Sequence, residues 1–123
     1  MIIIHENNAL EMKVPAPFKR TLKVLLSPAI NPELKSLAVG LTILPPGGKS
    51  EEHKHIEGEM FYVVSGKGSI KVGEEIEDVT AGTAIWSSSG KSHQLMNNNN
   101  DTLKILWVLS PPGREAAILK QSG

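Results

Sequence analysis

The sequence contains no cysteine, which excludes disulfide bonds, thiolate metal ligands and a cysteine nucleophile. Any metal that this chain binds must therefore be held by nitrogen and oxygen ligands. The sequence also lacks an excess of charge of either sign, because 13 basic residues balance 13 acidic ones. A nucleic-acid-binding protein needs a basic excess gathered on one face, so nucleic acid is not an expected partner.

Long apolar runs are missing as well. The chain opens with Met-Ile-Ile-Ile and turns polar at His5, which is too short for a signal-peptide core or a membrane span. We therefore expect a cytoplasmic protein with no membrane partner. The length of 123 residues suits a single domain covering residues 1–123. The expected partners are a small molecule and a second copy of the chain.

Glycine and proline divide the sequence into short runs rich in Val, Ile, Leu and Thr. This pattern predicts an all-β sandwich or barrel. One short helix is predicted at Arg114–Lys120, after a Pro-Pro-Gly sequence, and the asparagine-rich segment 97–101 predicts a hairpin tip. The runs that predict strands are Leu22–Leu26, Leu37–Leu44, Met60–Val64, Ser69–Val72, Thr83–Trp86 and Leu103–Leu109.

Two histidines with a nearby carboxylate predict a metal site. His53 and His55 are two residues apart, so on a strand their imidazoles share one face, and Glu59 can join them if the chain stays extended. His93 follows Gly90 and can supply a fourth ligand. Three imidazoles and one carboxylate suit one divalent iron, manganese, zinc, nickel or copper ion. Glu57 is the alternative carboxylate if the chain bends at Gly58.

Two longer motifs resemble those of the cupin superfamily. The first is Gly, five residues, His-x-His, three or four residues, Glu, six residues, Gly, and Gly47, His53, His55, Glu59 and Gly66 meet each spacing. The second is Gly, five residues, Pro-x-Gly, two residues, His, three residues, Asn. It is matched by Gly82, Gly90, His93 and Asn97, with Ser88 in place of the proline.

The resemblance implies a double-stranded β-helix, the cupin or jelly-roll barrel, with the metal held by His53, His55, Glu59 and His93. It also implies a wide range of activities, because similar proteins include dioxygenases, isomerases, decarboxylases, lyases and sugar-binding or sensor domains. Our leading hypothesis is a metal-dependent enzyme acting on a small polar or anionic metabolite. The alternative is a non-catalytic domain that binds or senses a small molecule or a sugar.

Alternation along the strands assigns candidate pocket residues, although core packing remains the competing interpretation. Phe61 and Val63 follow Glu59 by two and four residues, so on a strand their side chains point to the same face as that of Glu59. Leu95 follows His93 by two residues and shares its face in the same way. Trp107 lies on a strand that is largely apolar on both faces. Arg20 shares a face with Leu22, so its guanidinium could lie at a barrel mouth, and the competing interpretation for Arg20 is an exposed cation.

The opposite face of the first-motif strand carries Met60, Tyr62 and Val64. An outward apolar stripe is an unusual surface for a monomer. Together with the apolar segment Met1–Ile4, it predicts a homodimer.

Overall fold

The computed structural model describes residues 1–122. Within them the chain forms ten strands and one helix, with a short 3-10 turn at Glu6–Asn8. The strands are β1 (Leu10–Val14), β2 (Arg20–Leu26), β3 (Ala38–Leu44), β4 (His53–Lys54), β5 (Gly58–Ser65), β6 (Lys67–Val72), β7 (Glu75–Thr80), β8 (Ala84–Ser87), β9 (Ser92–Met96) and β10 (Leu103–Ser110), and the helix is α1 (Ala116–Ser122).

The strands form two sheets that face each other. The larger sheet has the order β1-β2-β3-β10-β5-β8, and the smaller one has the order β4-β9-β6-β7. Every pair of neighbouring strands in the described residues is antiparallel. Helix α1 packs against β1 and β2, at one side of the larger sheet. The predicted all-β barrel with a short C-terminal helix is confirmed.

Alternating burial along the strands explains how the two sheets enclose a core. On β10, alternate residues from Leu103 to Leu109 are buried, whereas Lys104 and Val108 are partly exposed on the other face. Apolar side chains that alternate with period two give a strand one face to bury. The remaining core residues come from both sheets and are Val24, Ala38, Leu44, Phe61, Val63, Ile70, Val79 and Leu95.

The predicted apolar runs lie in six of the strands, apart from Leu37 and Thr83, which precede β3 and β8. Strands β4 and β9 carry the motif histidines His53 and His93, whereas strands β7 and β1 were not predicted. Strand β7 is mostly exposed and carries Glu75, Glu77 and Asp78, so its sequence lacks an apolar run. Strand β1 has no fully buried residue, since Met12 and Val14 are half-buried and Leu10 is exposed. The helix begins at Ala116, two residues later than predicted, because a turn in which Ala116 N donates to Gly113 O (3.1 Å) precedes it.

The prediction of a hairpin tip at residues 97–101 is wrong. Strands β9 and β10, on either side of this segment, belong to different sheets, so the segment crosses from one sheet to the other. Asn97 is fully buried and its amide donates to Leu44 O and to Asp101 O, each at 2.9 Å. The asparagine of the second motif therefore fixes the crossover to the end of β3.

No helix in the described part of the chain is long and apolar enough to cross a membrane.

The outer face of the larger sheet exposes large apolar side chains. Tyr62 and Val64 on β5 are 41% and 45% exposed, and Trp86 on the edge strand β8 is 57% exposed. Trp86 lies opposite Met60 in the pairing of β8 with β5, which makes these side chains one continuous patch.

Candidate metal centre

Two strand pairings bring the motif residues to one end of the barrel. Strand β4 pairs with β9 so that His53 lies directly opposite His93, and directly opposed residues point to the same face of a sheet. Glu59 enters from β5 in the other sheet, where it pairs with Leu109 and Ser87. His55 lies in the short connection between β4 and β5. The site is thus built where the two sheets meet.

Three of the predicted ligands converge on one point. Glu59 Oε1 lies 3.3 Å from His55 Nε2 and 3.2 Å from His93 Nε2. One candidate ligand atom from each of these three residues lies within 4.8 Å of the other two. Two imidazole nitrogens and a carboxylate oxygen at this separation can share a single cation.

The other ring nitrogen of each converging histidine is held by a fixed partner. His55 Nδ1 lies 2.9 Å from Glu57 O and 3.4 Å from Glu57 Oε1, and His93 Nδ1 lies 3.3 Å from Ser87 Oγ. Metal-binding histidines commonly have their second nitrogen hydrogen-bonded, which fixes the tautomer and the ring orientation. Glu57, the alternative carboxylate, therefore supports His55 and does not join the cluster itself.

The electrostatics of the cluster suit a cation. Burial raises the pKa of Glu59, but the adjacent imidazoles of His55 and His93 lower it by more, so the pKa of Glu59 falls below its ordinary value. His55 Nε2 is buried and, although close to Glu59, has no hydrogen-bond partner with suitable geometry among the described residues. A buried nitrogen without a partner is costly. Donation of its lone pair to a metal removes that cost, so the residues present fit a metal ion.

His53 lies beside this cluster and faces two arginines. Its ring centroid is 5.9 Å from that of His93, Arg114 Nη2 lies 2.6 Å from its Nδ1, and Arg20 Nη2 lies 3.4 Å from its Nε2. Burial and the two cations lower the pKa of His53 to about 4. The imidazole is therefore neutral at physiological pH, which is the form that can bind a metal.

The turn of the second motif forms without its proline. Lys91 N donates to Ser88 O (3.1 Å), and Gly90 takes a φ of 81° that side chains disfavour. Gly90 N also donates to His55 O (2.9 Å), which links the turn directly to the first motif. The serine therefore leaves the turn before His93 intact.

A cavity of about 450 Å³ opens beside the cluster. Of the residues predicted for the pocket, Arg20, Phe61, Leu95 and Trp107 line it, whereas Val63 is fully buried in the core and lies outside the lining. Apolar side chains provide most of the wall surface, and eight polar or charged residues also line the cavity. The remaining lining residues are Met12, Leu22, Thr42, Ser50, His53, Glu59, His93, Leu109, Gly113, Arg114, Glu115, Ala117 and Ile118.

The segment before α1 contributes to the cavity in a way that the sequence analysis missed. Glu115 is 3% exposed, accepts a hydrogen bond from Ser27 Oγ (2.6 Å) and from Gly113 N (2.6 Å), and so fixes this segment against the loop after β2. Arg114, next to it, reaches His53. These residues follow the last predicted strand, and no periodic pattern in the sequence relates them to the metal motifs. Only the Pro-Pro-Gly sequence before them indicates that the chain changes direction here.

Comparison with known proteins gives the same fold and family. The chain matches the Cupin domain family over residues 40–109, which is more than half of its length. It is 33% identical over 78 residues to an uncharacterized protein of Streptomyces coelicolor, covering 63% of this chain and 73% of that protein. The chain is a β-barrel of the double-stranded β-helix type, with a His/Glu cluster that could hold a metal ion. The chain belongs to the cupin family.

Other relatives have more specific names. An oxalate-binding protein of Thermotoga maritima is 34% identical over 67 residues, which cover 54% of this chain and 55% of that protein. A solved structure from the same organism, described as a predicted oxalate decarboxylase, superposes with a TM-score of 0.80 at 23% identity and covers 90% of this chain and 100% of that one. The polyketide cyclase RemF of Streptomyces resistomycificus gives a TM-score of 0.76 at 20% identity over 91% of this chain and 80% of that chain. These two structures support the fold.

Proposed function

We propose that this chain is a metal-dependent cupin enzyme that binds one divalent transition metal and acts on a small polar or anionic metabolite in the cavity beside it. The observation that carries the proposal is the buried cluster of His55, Glu59 and His93, whose ligand atoms lie within 4.8 Å of one another. His55 Nε2, which is buried and has no hydrogen-bond partner among the described residues, also supports the proposal, because this nitrogen is suited to bind a metal.

His53 is proposed as the fourth ligand. In the structure its ring nitrogens face Arg114 and Arg20, so one nitrogen must turn from an arginine toward the cluster for His53 to bind the metal. Its position directly opposite His93 in the strand pairing, with the two ring centroids 5.9 Å apart, supports this proposal. We expect Arg114 to lose its contact with His53 when the site is loaded.

The residues around the cluster determine what the site can do. A bound divalent metal supplies Lewis-acid chemistry or, if it is iron, oxygen activation. Phe61, Leu95 and Trp107 line the cavity with apolar surface, which restricts water beside the cluster and leaves space for a ligand with an apolar part. Glu59 can hold a proton only if it leaves the cluster, because its pKa lies below the ordinary value.

A second candidate function, binding without catalysis, is supported by the partners of the cavity carboxylates. Glu59 contacts two imidazoles, and Glu115 is occupied by Ser27 and by Gly113 N. Neither carboxylate is free to act as a general base in this arrangement. A relative named oxalate-binding protein also favours this alternative. Turnover of any substrate by the metal-loaded protein separates the two functions.

The first test is elemental analysis of untagged protein purified without oxygen. We expect near-stoichiometric metal, and we expect its removal by a chelator to lower the melting temperature by several degrees, since a ligand at a hundredfold excess over its Kd stabilises the folded state by about 2.7 kcal/mol. Iron would direct assays to oxidative cleavage, and manganese, zinc or nickel to isomerase, decarboxylase or lyase reactions. Protein that contains no metal and shows no thermal shift with added Zn²⁺, Mn²⁺ or Fe²⁺ would contradict the proposal.

We also propose that the chain forms a homodimer through the outer face of the larger sheet. The exposed patch formed by Met60, Tyr62, Val64 and Trp86 supports this proposal. Tyr62→Lys places a charge at the centre of the patch, so we expect the mass measured by light scattering to shift from dimer toward monomer. Ile76→Lys is the matched control, because Ile76 is 61% exposed on the smaller sheet. A dimer that withstands Tyr62→Lys would place the interface elsewhere.

A further inference from the structure

The two arginines of this chain lie at one place. Among its 13 basic residues only Arg20 and Arg114 are arginines, and both line the cavity, whereas no lysine appears among the described lining residues. Arg20 comes from β2 and Arg114 from the segment before α1, so the fold brings them together from distant parts of the sequence. Arginine suits recognition of a carboxylate, because its planar guanidinium can donate two parallel hydrogen bonds.

Arg20 has bonding capacity that the protein does not use. Its side chain is only 9% exposed, and its Nε has no hydrogen-bond partner among the described residues. Its NH2 group donates to Glu51 Oε2, which also lies 3.5 Å from His53 Nε2. Glu51 therefore occupies one edge of the guanidinium and leaves the adjacent Nε–H unpaired. A carboxylate that approached both donors would complete a bidentate pair.

Arg114 adds a second cation that lacks an acidic partner. Its NH2 contacts His53 Nδ1, and no carboxylate lies within ion-pair distance of it among the described residues. The neighbouring Glu115 is directed instead toward Ser27 and Gly113 N. Both guanidinium groups contact the same imidazole, because Arg20 lies 3.4 Å from His53 Nε2 and Arg114 lies 2.6 Å from His53 Nδ1.

We propose that Arg20 and Arg114 form the carboxylate-recognition site of this protein, and that Glu51 holds Arg20 until a ligand carboxylate displaces it. The ligand class is a carboxylic acid with a second oxygen donor next to the carboxylate and an apolar body. The second donor would face the metal cluster, because His53 lies between the arginines and His93. The apolar body would contact Phe61, Leu95 and Trp107. This inference rests on the proposed metal-dependent function and specifies its substrate class.

The test compares acids with their neutral amides by calorimetry on the Zn²⁺-loaded protein and on the metal-free protein. The probes are glycolate against glycolamide, and mandelate against mandelamide, which differ in charge and not in shape. We expect at least one acid to bind about tenfold more tightly than its amide, as a charge-assisted hydrogen bond provides. Equal binding of acid and amide in both pairs, or no binding of either acid, would overturn the inference.

Two variants locate the preference. Arg114→Gln should weaken acid binding about tenfold and leave amide binding unchanged, whereas Glu51→Gln should strengthen acid binding because it removes the internal competitor. Lys13→Gln, an exposed charge on β1, is the control and should change neither. If Arg114→Gln affects acid and amide alike, the residue is structural and the inference fails. Loss of Arg20 is avoided because that side chain is buried and its removal can unfold the barrel.

The metal-free measurement separates this inference from the proposed function. If the protein holds metal but shows no preference for the acids, the carboxylate site is wrong and the metal site stands. If the protein binds no metal but still prefers an acid in a manner that depends on Arg114, the metal proposal is wrong and the arginine site stands.

Discussion

Replacing His55 with alanine is expected to lower the affinity for the metal by at least about a hundredfold, since even changes to residues that only support a ligand cost ten- to a hundredfold. His55 has both features of a ligand in this structure: its Nδ1 is held by Glu57 O, and its Nε2 faces Glu59 without a hydrogen-bond partner among the described residues. The affinity of the purified variant for Zn²⁺ is measured by competition with a chromophoric chelator.

The stability of the metal-free protein should respond quite differently to the same substitution. His55→Ala removes a buried nitrogen that costs about 1–3 kcal/mol when unpaired, which offsets the lost packing of the ring. We therefore expect the melting temperature of the metal-free variant to stay within a few degrees of the parent. His5→Ala is the control, because His5 only caps the turn at Glu6–Asn8 by accepting a hydrogen bond from Asn7 N. Unchanged metal affinity in His55→Ala would remove His55 from the ligand set.

The candidate metal centre was accessible to sequence analysis because its proposed ligands come in fixed local spacings. His53, His55 and Glu59 lie within seven consecutive residues, so a short stretch of chain keeps them close together. They do not share one strand as predicted, because β4 ends at Lys54, His55 lies in the connection, and Glu59 enters from the other sheet. The contribution of His93 could be assigned only through the second motif, since its pairing with β4 is a long-range contact. The orientation of His53 toward the arginines was not predictable, because it depends on Arg114, which is remote in sequence.

The cavity was predicted less well than the clustering of His55, Glu59 and His93. Alternation placed Phe61, Leu95 and Trp107 on inward faces, and they line the cavity. Alternation also predicted Val63 as a pocket residue, yet Val63 is fully buried in the core. Alternation shows which face of a strand points inward, but it does not show which inward residues lie at the cavity and which lie deeper in the barrel. Residues supplied by the C-terminal segment, such as Glu115, depend on how that segment folds back over the barrel, and local spacing carries no information about it.

A methyl group added at Gly40 is expected to destabilise the barrel strongly. Gly40 is buried on β3 directly opposite Trp107, and a Cβ there would meet Trp107 Cζ2 at 2.0 Å and Lys23 O at 2.2 Å. Backbone on one side and an indole on the other leave no room for relaxation, so we expect Gly40→Ala to cost about 3 kcal/mol or more. Thermal unfolding followed by circular dichroism should show a melting temperature lower by more than about 10 °C.

The reason for a glycine at this position is the packing of Trp107, which forms part of both the core and the cavity wall. The double variant Gly40→Ala/Trp107→Leu should therefore lose less stability than the sum of the two single variants, because the leucine removes one of the two clashes. Gly73→Asn is the control, since a Cβ at Gly73 meets open space and asparagine tolerates its φ of 60°. Additive losses in the double variant would show that Lys23 O alone excludes a side chain at position 40. In that case the indole is not what selects glycine, and the wall formed by Trp107 could be remodelled without disturbing β3.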